Sequence, residues 1–310
     1  MIVVKIPKSV MLELTYKCNH RCKFCYCPWE NYENHPLYGK QDELTAANWL
    51  RVVTMLKALG IERIGLSGGE PLSKEGLFDL LRHIRDNGLQ VVLITNGIFM
   101  NEGFISVFKE IGSSLLGIGL SLPGIATYSY HTGTESNNSE KVLYWIRRLS
   151  EEGITVHLNV TATLQNLHEL SDIITKGFVS GAKALSLSRF VVGGRGSSFR
   201  DELSLSDEGV IQTLDIAERT LRMIDQRGVF MSKLPLCALP ADRQYKRLRI
   251  GGVCGAARKT FTIDPSGYIR VCVQSAKRVG HIFSDDIVEV ETVRGRQIVD
   301  RPSRSVCRDG

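Results

Sequence analysis

From about residue 10 to residue 230 the chain alternates between two hydrophobic patterns. Short apolar runs rich in β-branched residues are each followed by a stretch in which apolar residues recur at helical spacing. Six such strand-helix pairs can be counted, and runs this short and apolar are typical of strands buried in a parallel sheet. The predicted strands are residues 10–15, 62–66, 90–95, 116–122, 155–161 and 184–191.

The stretches between the strands have the pattern of amphipathic helices that end at glycine. Apolar residues share one helical face before Gly60, Gly88 and Gly153. Alternating strands and helices imply right-handed crossovers and a parallel sheet, in either an open doubly wound arrangement or a complete or partial barrel. Periodicity does not choose between these, but in both arrangements the loops at the carboxyl ends of the strands carry the functional residues.

The pattern changes after residue 230. Turn residues become dense, and residues 261–271 predict two strands around an Asp-Pro-Ser-Gly turn. At ~150 residues per domain a chain of 310 residues has room for two domains. We therefore predict a larger domain over residues 1–230 and a smaller one over residues 231–310.

Composition and charge limit the classes of protein to which this chain can belong. The chain is 43% hydrophobic and 23% charged, as in globular proteins. Its apolar runs are too short for a membrane span, and the N-terminus lacks the features of a secretory signal, so we expect a cytoplasmic protein without membrane contact. The net charge of +6 comes from the end of the chain, where 14 basic and 8 acidic residues follow residue 240. Such a surface suits an acidic peptide or another anion; nucleic acid is not an expected partner.

Eight cysteines fall into two groups. Cys18, Cys22, Cys25 and Cys27 lie close together, whereas Cys237, Cys254, Cys272 and Cys307 are widely spaced. Without an export signal, clustered thiols are first interpreted as metal or redox ligands. The C-x3-C-x2-C spacing of the first three follows the first predicted strand, and such thiolates bind zinc or an iron–sulfur cluster. Three ligands would leave one iron of a [4Fe–4S] cluster open to bind another molecule.

The same residues resemble the radical S-adenosylmethionine (SAM) superfamily. Its signature is C-x3-C-x2-C with an aromatic residue beside the last cysteine, here Phe24 and Tyr26. Its second motif is Gly-Gly-Glu after the second strand, here residues 68–70 followed by Pro71. The resemblance continues through T-N-G at 95–97, S-L-P-G at 121–124 and R-F-V-V-G-G-R-G at 189–196.

This resemblance implies a partial (β/α)6 barrel, a fold of the α/β class, in which Cys18, Cys22 and Cys25 hold three irons and SAM chelates the fourth. Reduction then cleaves SAM to a 5′-deoxyadenosyl radical that abstracts a hydrogen atom from substrate. The implied SAM-binding residues are Tyr26, Gly68, Gly69, Glu70, Ser121 and Arg195. Glu70 or the adjacent carbonyls would bind the ammonium group of SAM. Arg195 would bind the carboxylate of SAM, and Ser121 would bind the carboxylate or the ribose. Alternatively, Ser121 is a capping hydroxyl and Arg195 is a surface cation. Asn96 and Asn159 are further candidates for contacts with ribose or substrate.

Residues 254–272 are similar to the cysteine-hairpin-cysteine unit of SPASM and twitch extensions, which hold auxiliary [4Fe–4S] clusters. The resemblance implies one auxiliary cluster in the small C-terminal domain. Cys237, Cys254 and Cys272 are the expected ligands and Cys307 the fourth. A three-ligand cluster with an open iron, or four unrelated buried thiols, are the alternatives.

Within the resembling group we expect a precursor peptide as substrate, oxidised to a crosslink or an altered residue. A leader segment on that peptide would have to bind the barrel, the second domain or a separate protein. Electrons would come from a flavodoxin or ferredoxin. The alternatives are dehydrogenation of a small hydroxylated molecule and a non-catalytic iron–sulfur scaffold.

Overall fold

A computed structural model describes residues 6–31, 42–235, 237, 239–251 and 254–284. Within these residues one mixed sheet contains eleven strands. They are β1 (Ser9–Glu13), β2 (Arg63–Ser67), β3 (Gln90–Thr95), β4 (Leu115–Ser121), β5 (Val156–Ala162), β6 (Ala184–Arg189), β7 (Gly228–Phe230), β8 (Leu248–Ile250), β9 (Thr260–Ile263), β10 (Tyr268–Arg270) and β11 (Arg278–His281).

Strands β1 to β8 run parallel and lie in chain order. The first six match the six predicted strands to within two residues, so the hydrophobic pattern located them correctly. Strands β7 and β8 extend the same parallel series and were not predicted, because three residues are too few to show a periodicity. The ordered parallel series agrees with the predicted partial barrel.

Helices connect successive parallel strands. They are α1 (Ala46–Ala58), α2 (Leu77–Asp86), α3 (Glu102–Ile111), α4 (Tyr128–Thr132), α5 (Ser139–Glu151), α6 (Leu170–Val179), α7 (Arg200–Leu203) and α8 (Asp207–Met223). Alternate strand residues such as Val10, Leu12, Leu66 and Leu93 pack against the apolar faces of these helices and are fully or almost fully buried. The other face of each strand is therefore left for the barrel interior, where the polar residues lie.

The C-terminal hairpin joins the opposite edge of the sheet. Strand β9 pairs in parallel with β1, with Ser9 opposite Thr260 and Leu12 opposite Ile263. Strand β10 returns antiparallel to β9, as the sequence predicts, and β11 pairs antiparallel to β10. Asp264 closes the turn by accepting the backbone N–H groups of Ser266 and Tyr268, both at 3.0 Å.

The sheet does not break near residue 230. Phe230, Leu248, Phe261, Ile263 and Ile269 all belong to the same buried apolar cluster as the barrel strands. The described part of the C-terminal region thus shares its core with the barrel, and its separation as a domain over residues 231–310 stays a prediction. None of the helices in the described residues has the length and apolar character needed to cross a membrane.

One buried carboxylate fixes the last parallel strand. Glu218 on α8 accepts the backbone N–H groups of Arg247 at 2.8 Å and Leu248 at 2.9 Å, at the start of β8. Its side chain is 7% exposed, so water does not readily replace these bonds. Strand β8 therefore depends on a side chain from a neighbouring helix as well as on its own ladder.

We expect Glu218→Ala to lower the free energy of unfolding by about 2–3 kcal/mol, because two backbone donors lose their acceptor. Gln212→Ala, at an exposed position of the same helix, should change it by less than about 0.5 kcal/mol. Urea denaturation followed by circular dichroism measures both. Equal effects would show that the Glu218 contacts do not stabilise β8.

Candidate functional site

The cysteine loop, defined here as residues 18–27, follows β1 at the carboxyl ends of the parallel strands. Main-chain bonds tie it to α4, since Arg21 N–H donates to Thr132 and Lys23 N–H donates to His131, both at 2.9 Å. The Lys23 ammonium also lies 3.7 Å from the ring centroid of Tyr130. The loop is thus fixed in place where the sheet topology predicts functional residues.

The four free thiols of the loop lie close enough to change one another's pKa. Burial raises the pKa of Cys22 well above its usual value, and the nearby Cys25 and Cys18 raise it further. A hydrogen bond from Cys27 lowers the pKa of Cys25. In the described residues, no three His, Cys, Asp or Glu side chains are already arranged around one point as metal ligands. The thiolate forms of these neighbouring cysteines repel one another, and a bound iron–sulfur cluster would relieve that repulsion, so the donor set fits such a cluster.

Residues 68–70 pack backbone to backbone against the start of the cysteine loop. Gly69 N–H donates to Thr15 at 2.7 Å and Glu70 N–H donates to Lys17 at 2.8 Å. A Cβ atom on Gly69 would lie 2.1 Å from the Lys17 carbonyl oxygen. Only glycine permits this approach, so residues 68–70 lie against the segment that leads into the cysteine loop.

Glu70 is buried, with 1% of its surface exposed. Its carboxylate accepts bonds from Leu72 N–H at 3.0 Å, Thr95 Oγ1 at 2.5 Å and Asn96 N–H at 2.9 Å. Burial raises the pKa of Glu70, and these hydrogen bonds oppose the rise. The carboxylate therefore anchors the loop after β3, and the adjacent carbonyls are better placed than Glu70 itself to accept bonds from a ligand.

A glycine segment after β6 supports the cysteine loop from the other side. Gly194 has φ +50°, and a Cβ on it would lie 2.3 Å from the Cys27 carbonyl oxygen. Gly196 N–H donates to Cys25 at 3.0 Å. The loop is thus held between main-chain segments that follow β2 and β6. The motif at residues 189–196 includes Gly194, but nothing in the sequence predicts that this glycine supports the cysteine loop.

Arg195 forms an ion pair with Glu30 and also donates to the Cys22 carbonyl at 3.4 Å. Both charged side chains are less than 20% exposed. Glu30 was not among the predicted site residues, because no spacing in the sequence connects it to Arg195. The contact of Arg195 with SAM stays a prediction; in this structure its guanidinium braces the cysteine loop.

The barrel interior offers a row of polar side chains in register. Ser121 lies opposite Asn159, and Asn159 lies opposite Ser186. Gly119 leaves space for the Asn159 amide, since a Cβ there would lie 2.4 Å from Asn159 Nδ2. These partly exposed side chains form a polar wall suited to a hydroxyl-rich or zwitterionic ligand.

Tyr26 connects the two groups of cysteines. Burial raises its pKa far above the usual value, and Cys27, Cys25 and Cys272 all contribute to the rise. The two regions also touch, because Ala276, four residues after Cys272, packs together with Tyr26 against the buried Cys27 and Trp29. The contact of Tyr26 with SAM stays a prediction.

The C-terminal thiols resemble Cys18 in local geometry. Cys254 and Cys272 each accept the backbone N–H of the second residue after them at 3.5 Å, as Cys18 does from His20 at 3.4 Å. Hydrogen bonds of this kind stabilise thiolates at iron–sulfur clusters. Cys237 forms a disulfide bond in this structure, so its predicted ligand role applies to the reduced chain. Cys307 lies outside the described residues.

Sequence comparison matches the part of the chain that contains this site to a known family. The profile described as "Radical SAM superfamily" matches residues 12–176, which contain the cysteine loop and residues 68–70. The PqqA peptide cyclase of Rhodopseudomonas palustris is 30% identical over 271 residues, and that of Bradyrhizobium diazoefficiens is 27% identical over 273. Each alignment covers 86% of this chain and 67% of the relative.

Two solved structures share the fold. Streptococcus suis SuiB bound to precursor peptide SuiA has a TM-score of 0.72 at 14% identity, over 92% of this chain and 64% of SuiB. The protein anSMEcpe, with bound AdoMet and Cp18Cys peptide, has a TM-score of 0.66 at 16% identity, over 92% of this chain and 80% of that one. The chain thus spans about two thirds of the length of SuiB and of the cyclases. The likeness confirms the predicted α/β barrel fold.

We expect Gly194→Ala to lower iron binding by the cysteine loop and to reduce SAM cleavage by about 100-fold, since a displacement near 1 Å at a site has effects of this size. Gly112→Ala is the matched control, because Gly112 has a similar φ of +53° and a Cβ there meets nothing within 4 Å. Iron analysis and 5′-deoxyadenosine formation measure the outcome. An equal loss in both variants would assign the effect to backbone strain alone.

Proposed function

Because the chain belongs to the radical SAM superfamily, we propose that it cleaves SAM reductively and uses the resulting radical to oxidise a ribosomally made precursor peptide. One observation carries the proposal: main-chain bonds from Gly69, Glu70 and Gly196 hold the segment that carries Cys18, Cys22 and Cys25, and Arg270 joins the Cys272 carbonyl to Glu13 on the strand before that segment. This arrangement supports a catalytic cluster and a second cysteine site that act on one substrate.

In this proposal Cys18, Cys22 and Cys25 hold the catalytic [4Fe–4S] cluster. A bound cluster of this type supplies the electron that cleaves SAM. The chain's own residues orient the cofactor: the carbonyls beside Glu70 accept bonds from its ammonium group, and Ser121 binds its carboxylate or ribose. Tyr26 and Arg195 line the same loop, where Arg195 already balances Glu30.

The C-terminal cysteines hold one auxiliary [4Fe–4S] cluster in this proposal, with Cys254 and Cys272 as ligands together with Cys307 and the reduced form of Cys237. Such a cluster supplies an acceptor for the electron that a substrate radical gives up as product forms. The N–H bonds to the sulfurs of Cys254 and Cys272 support this assignment.

The names of the relatives favour a peptide substrate. The similar cyclases are named for the PqqA peptide, and both solved structures contain a peptide. We extend that class of substrate to this chain, with a flavodoxin or ferredoxin as the source of electrons. Its cytoplasmic location remains a sequence-based prediction.

Anaerobic reconstitution should give about eight irons per chain, as two [4Fe–4S] clusters require. Combined Cys18→Ala, Cys22→Ala and Cys25→Ala should remove about half of the iron and abolish 5′-deoxyadenosine formation with SAM and dithionite, while circular dichroism stays unchanged. Zinc in place of iron, with no 5′-deoxyadenosine, would contradict the proposed chemistry.

The short peptide encoded nearest the gene should lose hydrogen on incubation with enzyme, SAM and dithionite, which mass spectrometry detects as loss of a hydrogen pair. Combined Cys254→Ala and Cys272→Ala should retain SAM cleavage but fail to complete this oxidation, because the electron acceptor is missing. An unchanged peptide alongside oxidation of a small hydroxylated compound would instead favour dehydrogenation.

A further inference from the structure

Arg270, the last residue of β10, is fully buried with its charge paired inside the protein. Its guanidinium forms an ion pair with Glu13, the last residue of β1, and the two side chains are 0% and 2% exposed. Burying two charges carries a desolvation cost that packing with apolar residues would avoid. A buried pair at this position therefore calls for a role besides filling space.

The same guanidinium organises the loop that carries Cys272. Arg270 Nη1 donates to the main-chain carbonyls of Cys272 at 3.4 Å, Val273 at 3.0 Å and Ser275 at 2.7 Å. One nitrogen thus gathers carbonyl groups from across the Cys272 loop, defined here as residues 271–275. Residues 271–277 lie between β10 and β11 and belong to neither strand. The hydrogen bonds from Arg270 therefore help to hold the backbone around Cys272 where no strand pairing does so.

The other contacts of Arg270 lie on the catalytic side. Glu13 ends the strand that leads directly into the cysteine loop. The guanidinium carbon also lies 5.8 Å from the centroid of the Trp29 ring, just after that loop. Trp29 packs edge-to-face on Tyr16, with ring centroids 5.2 Å apart. Arg270 therefore links the Cys272 loop both to the strand that precedes the cysteine loop and to the aromatic ring that follows it.

We propose that Arg270 is a positioning residue that holds Cys272, and with it the auxiliary cluster, at a fixed place relative to the SAM site. The inference rests on the proposed function, since it needs Cys272 to be a cluster ligand. In this proposal Arg270 maintains the distance and orientation on which electron transfer from substrate to the auxiliary cluster depends.

The test compares Arg270→Lys with the wild-type chain after identical anaerobic reconstitution. Lysine keeps the charge beside Glu13 but replaces the planar guanidinium with a compact ammonium, so the carbonyls of the Cys272 loop lose their shared donor. We expect an altered EPR signal and midpoint potential for the auxiliary cluster, and peptide oxidation lower by about 10- to 100-fold. The EPR signal of the catalytic cluster should be unchanged, and the rate of SAM cleavage without peptide should stay within about twofold of the wild-type rate, since Cys18, Cys22 and Cys25 are untouched.

Arg258→Lys is the matched control, because Arg258 is an exposed arginine in the same C-terminal region. It should leave both EPR signals unchanged. An unchanged auxiliary signal in Arg270→Lys would overturn the inference while leaving the proposed function intact. A wild-type chain with only about four irons would instead remove the auxiliary cluster, and the inference would fail together with that part of the proposed function.

A second variant separates positioning from charge balance. Arg270→Met combined with Glu13→Gln removes both charges, so no unpaired charge is left buried and folding is preserved. A positioning role predicts that the auxiliary signal is altered here too. If the native auxiliary signal returns in this double variant, Arg270 serves only to neutralise Glu13 and the inference is wrong.

Discussion

The site depends on main-chain packing that leaves no room for a side chain. Gly69 presses on the Lys17 carbonyl from one side of the cysteine loop, and Gly194 presses on the Cys27 carbonyl from the other. The two glycine contacts and the bonds to α4 fix the main chain of the cysteine loop at several points. Less ordering of the loop is then left for a bound group to impose, which lowers the cost of binding.

Much of this arrangement follows from local sequence. Buried strands of five to seven residues can be predicted from their apolar runs. The topology of alternating strands and helices then brings the carboxyl ends of these strands together. The cysteine spacing and the Gly-Gly-Glu motif could therefore be assigned to one edge of the sheet. The hairpin of β9 and β10 could be predicted because the residues Asp-Pro-Ser-Gly favour a tight turn between two strands.

What the sequence did not reveal are pairings between distant polar residues. The bond from Thr95 to Glu70, the ion pair of Arg195 with Glu30, and that of Arg270 with Glu13 join positions with no shared periodicity. Each partner alone has the appearance of a surface charge or turn residue. Their burial is a property of the assembled barrel, so the bonds of Glu70 and Arg195 within the protein could not be read from the sequence. Their contacts with SAM stay predictions.

The parallel pairing of β1 with β9 has a consequence for how the molecule is made. Strand β1 is made before the other described strands, but its second neighbour lies roughly 250 residues later in the chain, so one edge of this strand stays open while the residues between them are synthesised. Contacts of such long sequence separation form slowly and leave an aggregation-prone edge exposed meanwhile. The loop that carries Cys272 can accordingly take its place beside the cysteine loop only after all the parallel strands have been made, so the two groups of cysteines come together late in folding.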